Sequence, residues 1–206
     1  MCAFSVFLNP IQLYESNSRN NMPVWNSKNI AHLLSRTLFG FSKNDLSAAQ
    51  GYSTYADLLD QAILKDYPLP AAPNTWVNTV PTASQNTSGE TGIWYREFNY
   101  WWFNRMNTEG LRMREKMVLF FHNHFANERD KVQYPQNMYA QNALFRKYAF
   151  GNFKQLVKEV SIDPAMLIYL DGNNSRGAVP NENFARELLE LFTMDIGNYT
   201  ETDVKQ

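Results

Sequence analysis

The 206-residue chain has one cysteine, Cys2. That excludes a disulfide framework and a cysteine-rich zinc site. It has no apolar run near the roughly 20 residues that span a bilayer. It has no excess of charge: Lys plus Arg number 19, Asp plus Glu 20, for a formal net charge of -1. The balance is even along the chain, with 6 basic and 7 acidic groups in residues 1–100 and 13 of each in residues 101–206. Electrostatics therefore give no case for nucleic-acid binding. There is no Gly-rich phosphate loop, no G-x-S-x-G elbow and no cysteine nucleophile.

Residues 2–8 are apolar, but no Lys or Arg precedes them and no small-residue cleavage site follows. A secretory signal is not expected from these residues, and the compartment stays unassigned. Residues 1–24 read as an N-terminal arm and residues 25–206 as one helical domain. Residues 67–92 hold Pro68, Pro70, Pro73 and Pro81 among many Asn, Thr and Ser residues. They read as a long surface loop.

Helical periodicity dominates elsewhere. Ser27 is placed to cap a first helix with apolar positions Ile30, Leu33, Leu34 and Leu38, stopped by Gly40. Two short segments follow, the second with Tyr55, Leu58, Leu59 and Ile63 on one stripe. The spacing then predicts helices over residues 92–107, 111–126, 136–150 and 153–162, with a break at Gly110. Asp163-Pro164 opens a short helix through Leu170. Asn181 is placed to cap a long helix over residues 182–196, closed by Gly197. Thr200 and Asp203 open one more. No β-hairpin signal occurs, so the expected fold class is all-α, a multi-helix orthogonal or bundle-like arrangement around an aromatic core. Aromatic residues make up 15% of the chain. The block Trp94 to Phe103 recurs at helical spacing, which favours core over a carbohydrate- or base-stacking role.

Several ordered segments resemble the bacterial domain-of-unknown-function 1800 family. They include His32-Leu33-Leu34-Ser35-Arg36-Thr37-Leu38-Phe39-Gly40-Phe41, Phe121-His122-Asn123-His124-Phe125 and Gln141-Asn142-Ala143-Leu144-Phe145-Arg146. Gly151-Asn152-Phe153, Asp163-Pro164-Ala165-Met166 and Tyr169-Leu170-Asp171 continue the set. The run from Pro180 to Phe192 and then Gly197-Asn198-Tyr199-Thr200 complete it. The resemblance covers residue 25 to the end, apart from 67–92. It implies a longer family domain of which this chain is the N-terminal part. It implies no reaction, because the family has no settled activity; some of its members look exported.

Three groups of residues are candidates for chemistry: the pair His122 and His124, the polar face of the helix from Glu182, and the loop from Asp171; the first two together make a polar site. The polar site is His122, His124, Asn183, Arg186, Glu187 and Glu190. Residues two apart on a helix point about 200° apart, so His122 and His124 converge only if the helix ends near Asn123. Asn183, Glu187 and Glu190 share one stripe, and Glu182, Arg186 and Glu190 share another with ion-pair spacing. Two readings follow. In one, His122, His124, Glu187 and Glu190 hold a divalent metal such as zinc, iron or manganese, giving a hydrolase-like or oxidoreductase-like enzyme. In the other, His122, His124, Arg186 and Glu187 form a buried hydrogen-bonded network in a helical scaffold or partner-binding protein. The third group is Asp171, Asn173, Ser175 and Glu182, which approaches a calcium loop but has Arg176 where glycine is needed. An Asn/Gly connector capped by Asn181 is the competing reading. His32 and Arg36, four apart, read as a surface pair. A protein partner is compatible with the sequence; its identity is not encoded in any motif.

Overall fold

Asn26, one residue before the expected cap, opens the first helix: its side chain accepts the amide of Asn29 at 2.9 Å. The structure is a computed structural model that describes residues 23–177 and 181–205. The N-terminal arm therefore lies outside the described residues except for its end at 23–24. Helix α1 is Ser27–Thr37, α2 Lys43–Gln50 and α3 Tyr55–Leu58, which continues into a π-helical turn at Leu59–Ile63. Helices α4 (Ala83–Thr87), α5 (Glu90–Thr108), α6 (Arg114–His124) and α7 (Arg129–Val132) follow. Next come α8 (Pro135–Lys147), α9 (Phe153–Ser161), α10 (Pro164–Tyr169), α11 (Glu182–Glu190) and α12 (Glu201–Val204). No strand occurs among the described residues, so the fold class is all-α.

Local chemistry sets most helix ends. Asp163 accepts the Met166 amide at 3.0 Å and Pro164 fills the first turn of α10, as the sequence predicts. Thr200 and Asp203 form a reciprocal capping box at α12. Gly110, at φ +65°, takes the left-handed turn between α5 and α6. Two expectations change. Residues 67–92 hold a 3-10 turn at Thr75–Asn78 and the short helix α4, and α5 already begins at Glu90. Helix α11 stops at Glu190 rather than running to residue 196. The Thr193 hydroxyl donates to the carbonyls of Leu188 and Leu189, at 2.9 and 3.3 Å, and Asp195 then turns left-handed at φ 70°.

The chain divides into two compact units. In the first, described residues 23–67 and 107–116 close around Ile30, Leu34, Leu38, Leu58 and Ile63. Lys116 ties the end of α1 by donating to the carbonyls of Arg36 and Leu38, at 2.9 and 2.7 Å. A cation there also meets the negative end of the helix dipole. Buried Arg114 pairs with exposed Asp66 at 2.6 Å.

In the second, described residues 68–106 and 117–205 form an aromatic core. Phe125 is fully buried, with ring centroids of Phe145, Phe153 and Phe192 at 5.8, 6.2 and 5.9 Å. Tyr95, Phe98 and Trp102 bury one face of α5. Gln141, Asn142, Arg146 and Asp163 are buried in the same unit.

Candidate functional site

Helix α6 ends at His124, and its two histidines go to different surroundings. His122 stands edge-on to Trp102 with centroids 5.2 Å apart, and Phe145 lies at 6.4 Å. Its Nδ1 is buried without a hydrogen-bond partner among the described residues. Burial holds its pKa below the ordinary histidine value, so the ring is neutral at pH 7. His124 instead enters the phenylalanine cluster. Its ring is edge-on to Phe125 at 4.6 Å, and Nε2 lies 2.8 Å from the Phe192 carbonyl oxygen. A carbonyl oxygen only accepts, so Nε2 carries the proton in this contact and offers no lone pair to a metal.

Helix α11 supplies the other candidates. It is anchored at its start by Asn181, which accepts the Asn183 amide at 3.0 Å. Its first turn packs on Gly172: a Cβ there would sit 2.7 Å from the Phe184 ring, so only glycine allows the approach. Arg186 turns towards α12 and forms a two-pronged pair with Glu201, at 2.7 and 2.9 Å. That pair lowers the Glu201 carboxyl pKa and raises that of the guanidinium. Glu190 accepts the Tyr199 hydroxyl at 2.7 Å, which holds the phenol above its usual pKa.

Three of the six polar-site residues, His124, Asn183 and Glu187, line one groove of about 540 Å³. His122, Arg186 and Glu190 do not line it. The expected His/Arg/Glu network is thus split among separate partners: Phe192 for His124, Glu201 for Arg186. Among the described residues no group of three or more His, Cys, Asp and Glu side chains is placed to hold a metal ion. The proposed set His122, His124, Glu187 and Glu190 is therefore not assembled. The helical spacing explains this, since α6 stays helical through His124 and keeps the two rings apart.

The calcium-like loop also takes another form. The Asp171 carboxylate is 2.8 Å from Lys131 Nζ, and its carbonyl accepts the Asn181 side-chain amide at 2.8 Å. Ser175 Oγ accepts the Asn181 amide at 3.1 Å. Asn173 sits exposed in a 3-10 turn, and Glu182 is exposed on the first turn of α11. Residues 178–180 of that loop lie outside the described residues. What is described is a connector tied together by Asn181.

The groove contains residues the sequence reading passed over. Glu128 and Lys131 line it beside Asn123, Leu191 and Phe192. Their only signal in the sequence is their place in the charged run Glu128-Arg129-Asp130-Lys131. A buried polar chain was also missed. Asn127 donates to Gln141, and Gln141 donates to Asp163 Oδ2 at 3.0 Å. Burial pushes the Asp163 pKa up to about 6, against the lowering effect of its hydrogen bonds from the Met166 amide, Gln141 and the Ala165 amide. His32 and Arg36 prove to line a second cleft, of about 320 Å³, with Asn29 and Tyr55.

The sequence profile of the family described as "Protein of unknown function (DUF1800)" matches residues 32–206, most of the chain. The chain belongs to this family. Within this DUF1800 chain, the family-like segments build the second unit's main features. Phe121–Phe125 forms its aromatic core, Gln141 and Asp163 the buried polar chain, and Asn183–Phe192 one wall of the groove. Membership supplies no activity, and the metal-enzyme reading has no support in the geometry. No curated protein and no solved structure matches the chain. Among the described residues, no helix is long and apolar enough to cross a membrane.

Proposed function

We propose that this chain is a helical partner-binding protein, and that the groove between residues 123–131 and 169–192 receives a segment of a protein partner. One observation carries the reading. Glu128 and Glu187 line the groove and make no ion pair among the described residues, beside Leu191, which is 58% exposed. The remaining charges, Lys131 and Asp171, neutralise each other. Two uncompensated carboxylates around an apolar contact fit a segment with an apolar anchor flanked by Lys or Arg. Met194 and Ile196, three and five residues further along the chain than Leu191, are exposed as well.

The test places a photo-crosslinking residue at Leu191 in the full-length protein in its native host, with Ile162 as control. Ile162 is 72% exposed and lies outside the groove. A partner captured at position 191 and not at 162 is then purified. Its binding is expected to weaken on the charge reversals Glu128→Lys and Glu187→Lys. Equal capture at both positions, or unchanged affinity after charge reversal, overturns the reading.

A further inference from the structure

Helix α5 is aromatic on its outer face as well as its inner one. Tyr95, Phe98 and Trp102 are buried, but Tyr100 is 77% exposed and Phe103 65% exposed. The outer rings are not core, contrary to the expectation for the whole block. Tyr100 opens onto a cleft of about 350 Å³ with Trp101, Asn104, Glu97, Asn74 and Pro73. That volume is within the range of small-ligand sites, roughly 300–1,000 Å³.

The walls of this cleft are fixed from behind. The guanidinium of buried Arg146 lies 5.1 Å from the Trp101 ring centroid, and Tyr139 packs edge-on to Trp101 at 5.8 Å. Glu97 Oε2 accepts the indole N–H of buried Trp76 at 2.7 Å and the Asn74 amide at 3.3 Å. Both bonds go to one oxygen, so Oε1 is left as an acceptor. An oriented acceptor beside a rigid aromatic wall loses little freedom when a ligand arrives.

The lining selects the ligand class. No Lys, Arg or His lines the cleft, while Glu97 carries negative charge. Phosphate- or carboxylate-bearing ligands are disfavoured on that ground. Side-chain amides and a carboxylate match hydroxyl groups, and an exposed phenol ring matches a C–H face. A pyranose ring has both, with hydroxyls at its rim and C–H groups on its faces. From this we infer that the cleft binds a neutral saccharide, with Tyr100 as the stacking platform and Glu97 and Asn74 as the hydroxyl-binding groups. This site is separate from the proposed partner groove and shares no lining residue with it.

The test titrates the full chain by calorimetry with neutral hexasaccharides of β-1,4-linked glucose, β-1,4-linked N-acetylglucosamine and α-1,4-linked glucose. Choline and adenosine monophosphate serve as comparators. At least one hexasaccharide is expected to bind. Tyr100→Ala and Tyr100→Leu should each weaken it on the order of tenfold or more, the factor that 1.4 kcal/mol represents. The leucine variant keeps apolar bulk and removes only the aromatic face. Phe103→Ala, outside the cleft, should leave binding unchanged, and all three variants should melt with the parent protein. The inference is overturned by absence of hexasaccharide binding well above ~1 mM. Full affinity in Tyr100→Leu, or binding of choline or the nucleotide in place of the sugars, overturns it too.

Discussion

The two units of the chain bury different chemistry. The first closes on an aliphatic cluster, Ile30, Leu34, Leu38, Leu58 and Ile63, and it also buries Glu109, Arg114 and Glu115 in its 107–116 segment. The second closes on stacked rings and encloses Gln141, Asn142, Arg146 and Asp163 with them. An aliphatic core asks only for volume and exclusion of water. A core that includes amides and a carboxyl also asks that each polar atom keep its partner, because an unpaired one is costly in a dry interior. The aromatic and amide core of the second unit should therefore be more exacting than the aliphatic cluster of the first, both in geometry and in pH.

The largest expected effect compares one residue from each core. Phe145 and Leu34 are both fully buried. Phe145→Ala should destabilise by about 4 kcal/mol and Leu34→Ala by about 3 kcal/mol, read from denaturant midpoints. A smaller loss for Phe145→Ala would break the contrast. Next comes Gln141→Leu, which keeps apolar volume and removes the amide between Asn127 and Asp163. The loss should be on the order of 1–3 kcal/mol, since two buried groups lose a partner. An unchanged midpoint would show that this chain contributes nothing to the second core.

The third prediction concerns pH. The folded Asp163 carboxyl has its pKa raised to about 6 against an ordinary 3.8. The folded protein thus holds this proton more tightly than the unfolded chain does. Its contribution to stability is greatest near pH 4 and is lost as pH rises through about 6. A two-unit shift corresponds to on the order of 1–3 kcal/mol over that interval. Asp163→Asn keeps an acceptor for the Met166 amide and removes the titration, so its stability should be flatter between pH 4 and 6. A parallel profile for mutant and parent would reject the role of this carboxyl. The smallest effect is expected for Arg186→Ala. The Arg186–Glu201 pair is open to solvent, and its removal should shift the thermal midpoint least of the set, with the shift shrinking in high salt.

Much of the fold was legible because its signals are local. Asp163-Pro164 and the Thr200/Asp203 box each mark a helix start within four residues, and all perform as expected. The end of α11 was not legible, because a threonine hydroxyl captures carbonyls that periodicity assigns to the helix. The candidate site was legible only in part. Spacing already warned that His122 and His124 face apart. Arg186 was matched to its helical neighbours, whereas its partner Glu201 arrives only after the chain reverses through residues 191–199. Glutamine and asparagine in α8 show no periodic signal for burial, yet Gln141 and Asn142 are each 1% exposed. The position of Gln141 depends on tertiary partners 14 and 22 residues away.

The edge-on contact of His122 with Trp102 has an optical consequence. A protonated imidazole quenches indole emission by taking up an electron from the excited ring, while a neutral one does so far less. With rings 5.2 Å apart and the imidazole held neutral by burial, Trp102 carries a built-in gauge of acid entry into the aromatic core. Its emission should dim at a lower pH than an ordinary histidine would give, where His122 takes its proton. In His122→Phe that dimming step should vanish. Compared with His122→Phe, the intrinsic fluorescence of this five-tryptophan chain then isolates, without any added dye, the pH at which a proton reaches His122.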